Sequence, residues 1–327
     1  MHEAGGRQGY PRHFDGTRFF NPDGSHPHGL RDVWRWQRTS RREPSPKFVT
    51  DVEPSKPPAR AANGEVRVTL VNHSTALIQS EAANVLTDPI WSERASPLSW
   101  IGPRRHRAPG VRREDLPEID LVLLSHDHYD HLDLPTLCWL RDRGHSTFVA
   151  PLGAAGRLRR HRIEPVHELD WGGSQAFAEL KVHCVPAVHF AGRGLFDRNR
   201  TLWCGYVIEI ANSLIYFAAD TAFGGHFEQL RARFGPPRLA LLPIGAYEPR
   251  WFMSPVHMDP EDAVKAHEIL GALTSIAIHH GTFQLGDESI DTPARKARSA
   301  SWPESFLILN NGESATLLEC STSTRSR

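Results

Sequence analysis

At 327 residues, 39% of them apolar, the chain has the material for a sizeable core and reads as globular, one large domain or two ordinary ones. Lys plus Arg number 38, as do Asp plus Glu, so no overall field attracts nucleic acid. No apolar run approaches the roughly 20 residues that cross a bilayer, which leaves only peripheral contact with lipid.

Residues 1–62 are rich in Pro, Gly, Arg and His and close on Pro54, Pro57 and Pro58, which predicts a largely irregular N-terminal arm. Within it Leu30, Val33, Trp34 and Trp36 predict one short amphipathic turn that packs on the body, with a membrane surface as the alternative. Residues 63–320 read as one body with strand-like runs at 66–71, 75–78, 84–87, 121–124, 147–150, 181–185, 205–210, 214–218, 239–243, 275–278, 306–309 and 315–318. Helices are expected at 134–141, with Asp133 as N-cap, and at 261–270, opened by Asp259 and Pro260. A polar, frayed tail is expected at 321–327. Strands with interspersed helices favour a layered α/β architecture. Cys138, Cys184, Cys204 and Cys320 form no C-x-x-C pair and the start lacks a leader pattern, so a cytoplasmic location is expected.

Ser125-His-Asp-His-Tyr-Asp-His-Leu-Asp follows the apolar run 121–124 directly. In an extended segment His126 and His128 point to one side, and the following turn brings Asp130 and His131 towards a second ion. A merely polar surface loop is the plainer reading, and four ligand-type side chains in six positions speak against it. Two cations need more donors, and His189, Asp220 and His279 each end an apolar run, where a sheet presents side chains at its edge. A lone His there is usually structural; the series is the signal. His183 and His280 compete for these places, and strand parity favours His279 over His280.

His126, His128, Asp130 and His131 match the His-x-His-x-Asp-His motif, and the chain resembles the metallo-β-lactamase superfamily. That resemblance implies an α/β fold, a four-layer αββα sandwich here preceded by the arm. It also implies two zinc ions, or iron or manganese in their place. One is held by His126, His128 and His189, the other by Asp130, His131 and His279, with Asp220 bridging. Asp88 and His73 are implied to support these ligands without ligating.

A closer resemblance rests on Leu86-Thr-Asp-Pro-Ile-Trp-Ser-Glu-Arg-Ala-Ser-Pro, Val185-Pro-Ala-Val-His, Pro243-Ile-Gly-Ala-Tyr-Glu-Pro-Arg-Trp-Phe-Met and Ile278-His-His-Gly-Thr-Phe. These strings are similar to the N-acyl-phosphatidylethanolamine-hydrolysing phospholipase D family, as is His13-Phe-Asp-Gly-Thr-Arg-Phe-Phe-Asn-Pro of the arm, to which no chemistry is assigned. Ala219-Asp-Thr-Ala departs from the family's Gly-Asp-Thr-Gly, and His280 from its usual Trp. The implied reaction is phosphodiester hydrolysis by a metal-bridging hydroxide, with Asp130 and Asp220 as the catalytic carboxylates. Its products are phosphatidic acid and an N-acylethanolamine.

His257 is implied near the substrate amide, or is a loop residue ahead of the Asp259 cap. Trp251, Phe252 and Met253 are candidates for an acyl channel or for partial core, and Tyr247, Glu248 and Arg250 for ordering their loop. Arg104, Arg105, Arg107, Arg112 and Arg113 read as a solvated loop, with a lipid-phosphate surface as the alternative. Hydrolysis of a small ester, lactone, thioester or β-lactam, RNA processing, and a non-catalytic lipid-binding protein are the rival functions.

Overall fold

The computed structural model describes residues 12–50, 52–194, 196–299 and 302–318. Fourteen strands are formed among them: β1 (Glu65–Asn72), β2 (Thr75–Gln79), β3 (Asn84–Thr87), β4 (Leu121–Leu123), β5 (Thr147–Pro151), β6 (Val166–Leu169), β7 (Ser174–Phe177), β8 (Leu180–Val185), β9 (Gly205–Ile210), β10 (Ser213–Phe217), β11 (Leu239–Pro243), β12 (Thr274–Ile278), β13 (Phe306–Leu307) and β14 (Ser314–Leu318). The helices are α1 (Leu30–Thr39), α2 (Leu134–Arg143), α3 (Ala155–Arg160), α4 (His226–Phe234), α5 (Arg250–Met253), α6 (Pro260–Leu270) and α7 (Thr292–Ser299).

The strands make two seven-stranded mixed sheets, ordered β14-β1-β2-β3-β4-β5-β6 and β13-β12-β11-β10-β9-β8-β7. Alternation along each strand decides the layering. Leu121 and Leu123 enter the core between the sheets with Val68, Ile78, Tyr206, Ile215 and Ile276. Val122 and Leu124 face outward, onto Leu137 and Leu140 of α2 and Leu158 of α3. The second sheet repeats this: Tyr216, Ala240 and Leu242 pack on Phe227 and Leu230 of α4 and on Ala263, Ala266 and Leu270 of α6. The result is the αββα sandwich, and the metal-type residues gather where the strands of both sheets end.

Some expectations need correction. Strands β6 and β7 were not foreseen, because edge strands of mixed polarity lack a clean alternation. The run expected at 306–309 forms a strand over Phe306–Leu307 alone. Asp259 caps α6 by accepting from Asp262 N at 2.8 Å. Asp133 stands at the N-cap position of α2 but caps nothing. Its carboxylate instead accepts from Ser92 Oγ at 2.7 Å and Thr136 Oγ1 at 2.6 Å, and so ties residues 91–92 to the motif loop.

The arm is less irregular than its composition predicts, since α1 is a ten-residue helix. Val33 and Trp36 face the body, with Trp36 stacked on Phe252 at 4.8 Å and donating to Asp287 Oδ1 at 2.9 Å. Trp34 does not pack into the body: it is 60% exposed, with the Arg38 guanidinium over its ring. Elsewhere Glu43 accepts from Ser289 N and Thr292 Oγ1, and His13 meets Asp170 at 2.7 Å. The expected tail, 321–327, and Cys320 lie outside the described residues. Cys138, Cys184 and Cys204 are free thiols.

Candidate metal centre

Each candidate ligand sits just past the end of an element. The loop 125–133 leaves β4 and is gripped by Arg193, whose guanidinium donates to Asp127 O at 2.9 Å and Leu132 O at 2.7 Å and lies 3.7 Å over the Tyr129 ring. His189 follows β8, Asp220 follows β10 and His279 follows β12. Ala219 and His279 both adopt positive φ, at 54° and 58°, where the chain turns out of its strand. Gly245 permits the approach of the neighbouring strand end, since a Cβ there would lie 2.0 Å from His279 O.

The seven expected ligand residues converge. His126 Nε2 and His128 Nδ1 are 2.8 Å apart, and His189 Nε2 is 3.3 Å from His128 Nδ1. A second group holds His131 Nε2 at 3.2 Å and His279 Nε2 at 3.4 Å from Asp130 Oδ2. Asp220 stands between the groups. Its Oδ2 is 3.2 Å from His131, 3.6 Å from His189 and 3.9 Å from His126, while its Oδ1 is 3.2 Å from His279. The donor atoms of each group lie within 4.8 Å of one another, a span that one cation closes.

Hydrogen bonds on the far side of the rings fix which nitrogen is bare. His131 Nδ1 donates to Asp88 Oδ2 at 2.7 Å and His189 Nδ1 donates to Val256 O at 2.9 Å. Ser125 Oγ donates to Asp88 Oδ2 and therefore accepts from His126 Nδ1 at 2.9 Å. All three rings present an Nε2 lone pair to the centre. His131 Nε2, His279 Nε2 and Asp220 Oδ1 are buried without a sound hydrogen bond among the described residues. Buried atoms of this kind are costly unless something else satisfies them, and the donor set fits a divalent cation.

The charges agree. Burial pushes His126 well below its usual range, His128 to about 4 and His189 to about 3, so these three rings are held neutral, as a metal ligand must be. Burial acts on His131 and His279 too, but the Asp220 and Asp130 carboxylates outweigh it, holding His131 well above its ordinary value and His279 up to about 9. These carboxylates demand positive charge, which a cation supplies in place of protons.

Both oxygens of Asp88 are engaged: Oδ1 takes Ser125 N at 2.7 Å and Oδ2 takes Ser125 Oγ and His131. His73 Nε2 lies 3.0 Å from Asp130 Oδ2, the same oxygen that faces His131 and His279, and its donor atom falls within that group. Asn21 of the arm also serves the centre, donating to His189 O at 2.9 Å. It was missed, although the Phe-Phe-Asn-Pro string that carries it was the arm's one specific signal. The two competitors lie elsewhere. His183 pairs with Glu209 at 2.6 Å, and His280 lines a separate cavity with Arg107 and Asp291.

A cavity of about 810 Å³ opens beside the centre, with His128, Asp130 and Asp220 in its lining and Val33, Trp36, Phe190, Phe252 and Met253 among its apolar walls. His257 lines it too, its ring stacked on His279 at 5.4 Å. Of the acyl-channel candidates Phe252 and Met253 line this cavity, whereas Trp251 does not and is corrected, and Tyr247 does not reach the substrate space either. Trp251 packs outward on α1 beneath Arg35, and Tyr247 is core, with Lys296 over its ring. The basic stretch is not a uniform solvated loop. Arg105 is 1% exposed, donating to Asn72 Oδ1 and Ile90 O at 3.0 Å each, and Arg107 holds Gly281 O and Asp291.

Residues 83–280 match the family model described as beta-lactamase superfamily domain. The chain is 32% identical over 257 residues to a UPF0173 metal-dependent hydrolase of Pelotomaculum thermopropionicum, covering 77% of this chain and all of that one. It is 39% identical over 229 residues to N-acyl-phosphatidylethanolamine-hydrolyzing phospholipase D 1 of Caenorhabditis elegans, covering 67% of this chain and 64% of the relative. Among solved structures, isothiocyanate hydrolase from Delia radicum gut bacteria shares the fold, with a TM-score of 0.62, 19% identity and coverage of 78% and 100%.

Proposed function

The chain belongs to the metallo-β-lactamase superfamily of metal-dependent hydrolases, and from that membership we propose that it is a dinuclear zinc phosphodiesterase of phospholipase D type. Its substrates are N-acyl-phosphatidylethanolamine-like phospholipids, cut by water to phosphatidic acid and an N-acylethanolamine. One observation carries this reading: Asp220 reaches both donor groups at the foot of a cavity with largely apolar walls. The name of the Caenorhabditis elegans relative supports the substrate class.

We assign one cation to His126, His128 and His189 and the other to Asp130, His131 and His279, with Asp220 shared. Bound there, divalent cations supply Lewis acidity towards a phosphoryl oxygen and bring the pKa of a shared water to near neutrality. Asp130 and Asp220 are the carboxylates in contact with the reacting centre, and two negative charges against two dications leave a surplus that suits an anionic phosphodiester better than a neutral lactone. His257, which burial pushes down to about 3, offers the head group a neutral hydrogen bond. Phe190, Phe252 and Met253, with Val33 and Trp36 of the arm, exclude water and line a path for acyl chains. The proposed contact with the bilayer is peripheral; no helix among the described residues is long and apolar enough to cross one.

The test couples metal analysis to product identification, with N-acyl-phosphatidylethanolamine run beside a lactone and a β-lactam. Release of N-acylethanolamine by zinc-loaded protein, lost on chelation, supports the reading. Turnover of the lactone alone would move the chain to small esters, and lipid binding without turnover would make it a binding protein. Iron or manganese in the purified protein would replace zinc in the assignment.

A further inference from the structure

The lining of the cavity carries two arginines from distant parts of the chain, Arg18 of the arm and Arg198 of the loop after His189. They hold each other in place. Arg18 Nη1 donates to Arg198 O, and Arg198 Nη2 donates to Pro27 O at 3.0 Å and His28 O at 3.1 Å. These bonds orient the guanidiniums but do not neutralise them, because a carbonyl carries no net charge.

Neither arginine has a carboxylate partner among the described residues. The nearby acids make their hydrogen bonds elsewhere: Asp15 is exposed and accepts from the main-chain nitrogens of Thr17 and Arg18, acting on the Arg18 charge only through space. Asp197 accepts from Arg193 N and Gly194 N and pairs with Arg157, while Asp23 accepts from Ser25. Two like charges are thus set side by side on one largely apolar wall, and Arg198 is depressed by burial and by Arg18. Such an arrangement is unfavourable until an anion enters, and each fork retains donors for one.

Place decides which anion. Arg198 lies 5.4 Å over the Phe190 ring, and Phe190 in turn meets the His128 ring at 4.5 Å, so Arg198 stands one aromatic ring away from the centre. A phosphodiester engaged at the centre does not occupy it. We propose that Arg18 and Arg198 form an anion-binding subsite for a second anionic group of the substrate, a carboxylate or phosphate outside the bond that is cut. This rests on the hydrolytic reading of the centre and narrows it. A plain ethanolamine head group has no second anion, whereas an N-acylated serine phospholipid carries one as its carboxylate.

Two measurements keep the subsite separable from that reading. Zinc-loaded enzyme is given short-chain, soluble N-acyl-phosphatidylserine and its ethanolamine counterpart, which differ by one carboxylate. The serine lipid is expected to be favoured about tenfold in kcat/KM, through KM, and the ratio to fall to about one in Arg18→Met and in Arg198→Gln, with partial recovery in Arg198→Lys. An unchanged ratio in the variants overturns the inference. Calorimetric titration with octyl phosphate and with octanol needs no turnover: a loss of about tenfold in the phosphate-to-alcohol preference in both variants, at unchanged zinc content, sustains the subsite even where neither lipid is hydrolysed. Equal octyl phosphate binding by wild type and variants overturns it. So does a variant effect that appears only on anionic vesicles, which would assign the pair to a neighbouring head group.

Discussion

The carboxylate of Asp88 receives the Nδ1 proton of His131 at 2.7 Å, with both side chains fully buried. One oxygen thereby fixes the tautomer of a ring whose other nitrogen faces Asp130 and Asp220. Asp88→Ala is expected to weaken metal binding about 10- to 100-fold, because the ring loses its orienting acceptor. Zinc titration against a competing chelator reads this directly, and wild-type affinity in the variant would remove Asp88 from the supporting role.

His189→Ala is expected to lose bound metal and activity together, since His189 Nε2 is one of three nitrogens in the first group. Chelation of the wild type should lower Tm, and zinc should restore it, as binding to the native state alone contributes about 4 kcal/mol at a thousandfold excess over Kd. A His189→Ala protein with full zinc content contradicts the assignment.

Arg105→Met should cost about 3 kcal/mol of stability, because Asn72 Oδ1 and Ile90 O lose their donor inside the protein. Urea unfolding measures the loss, and activity per bound zinc should stay near wild type. If Arg105 acted on lipid phosphate, vesicle binding would fall instead of stability.

Asn21→Ala tests whether the arm belongs to the site. The variant leaves His189 O without its donor and frees Trp203 Nε1 of one partner, so a loss of about 1–2 kcal/mol and weaker zinc binding are expected. Unaltered zinc affinity would reduce the arm to a wall of the cavity.

A pH effect follows from His226, which burial pushes down to about 4 against a weaker pull from Asp23. Between about 6.5 and about 4 the unfolded chain binds a proton that the folded one refuses, so stability is complete above this window and falls as pH drops through it. His226→Gln should flatten that part of the acid limb in a Tm-against-pH series. An equally steep limb in the variant would place the effect on other groups.

The ligand inventory was legible because it is written locally. His126, His128, Asp130 and His131 lie within six positions, and His189, Asp220 and His279 each end a run of strand-forming residues. Parity favoured His279 over His280, and His279 is the one beside Asp130 and Asp220, but β12 stops at Ile278 and His279 itself turns at positive φ, held by a bond from its N–H to His73 O at 2.8 Å. The edge strands β6 and β7 escaped because their mixed polarity shows no clean alternation.

The sequence by itself marked the candidate side chains of the centre and a layered α/β body, because period-two burial and strand ends are local properties of the chain, while the two-sheet sandwich was implied only by the resemblance. Only the tertiary structure decided that Arg105 is core, that Asn21 reaches His189, that Trp251 faces outward, and that Arg18 and Arg198 share a wall. Those contacts join residues far apart in the chain. No local pattern encodes them, since a side chain's partner across the fold is set by the packing of every element between.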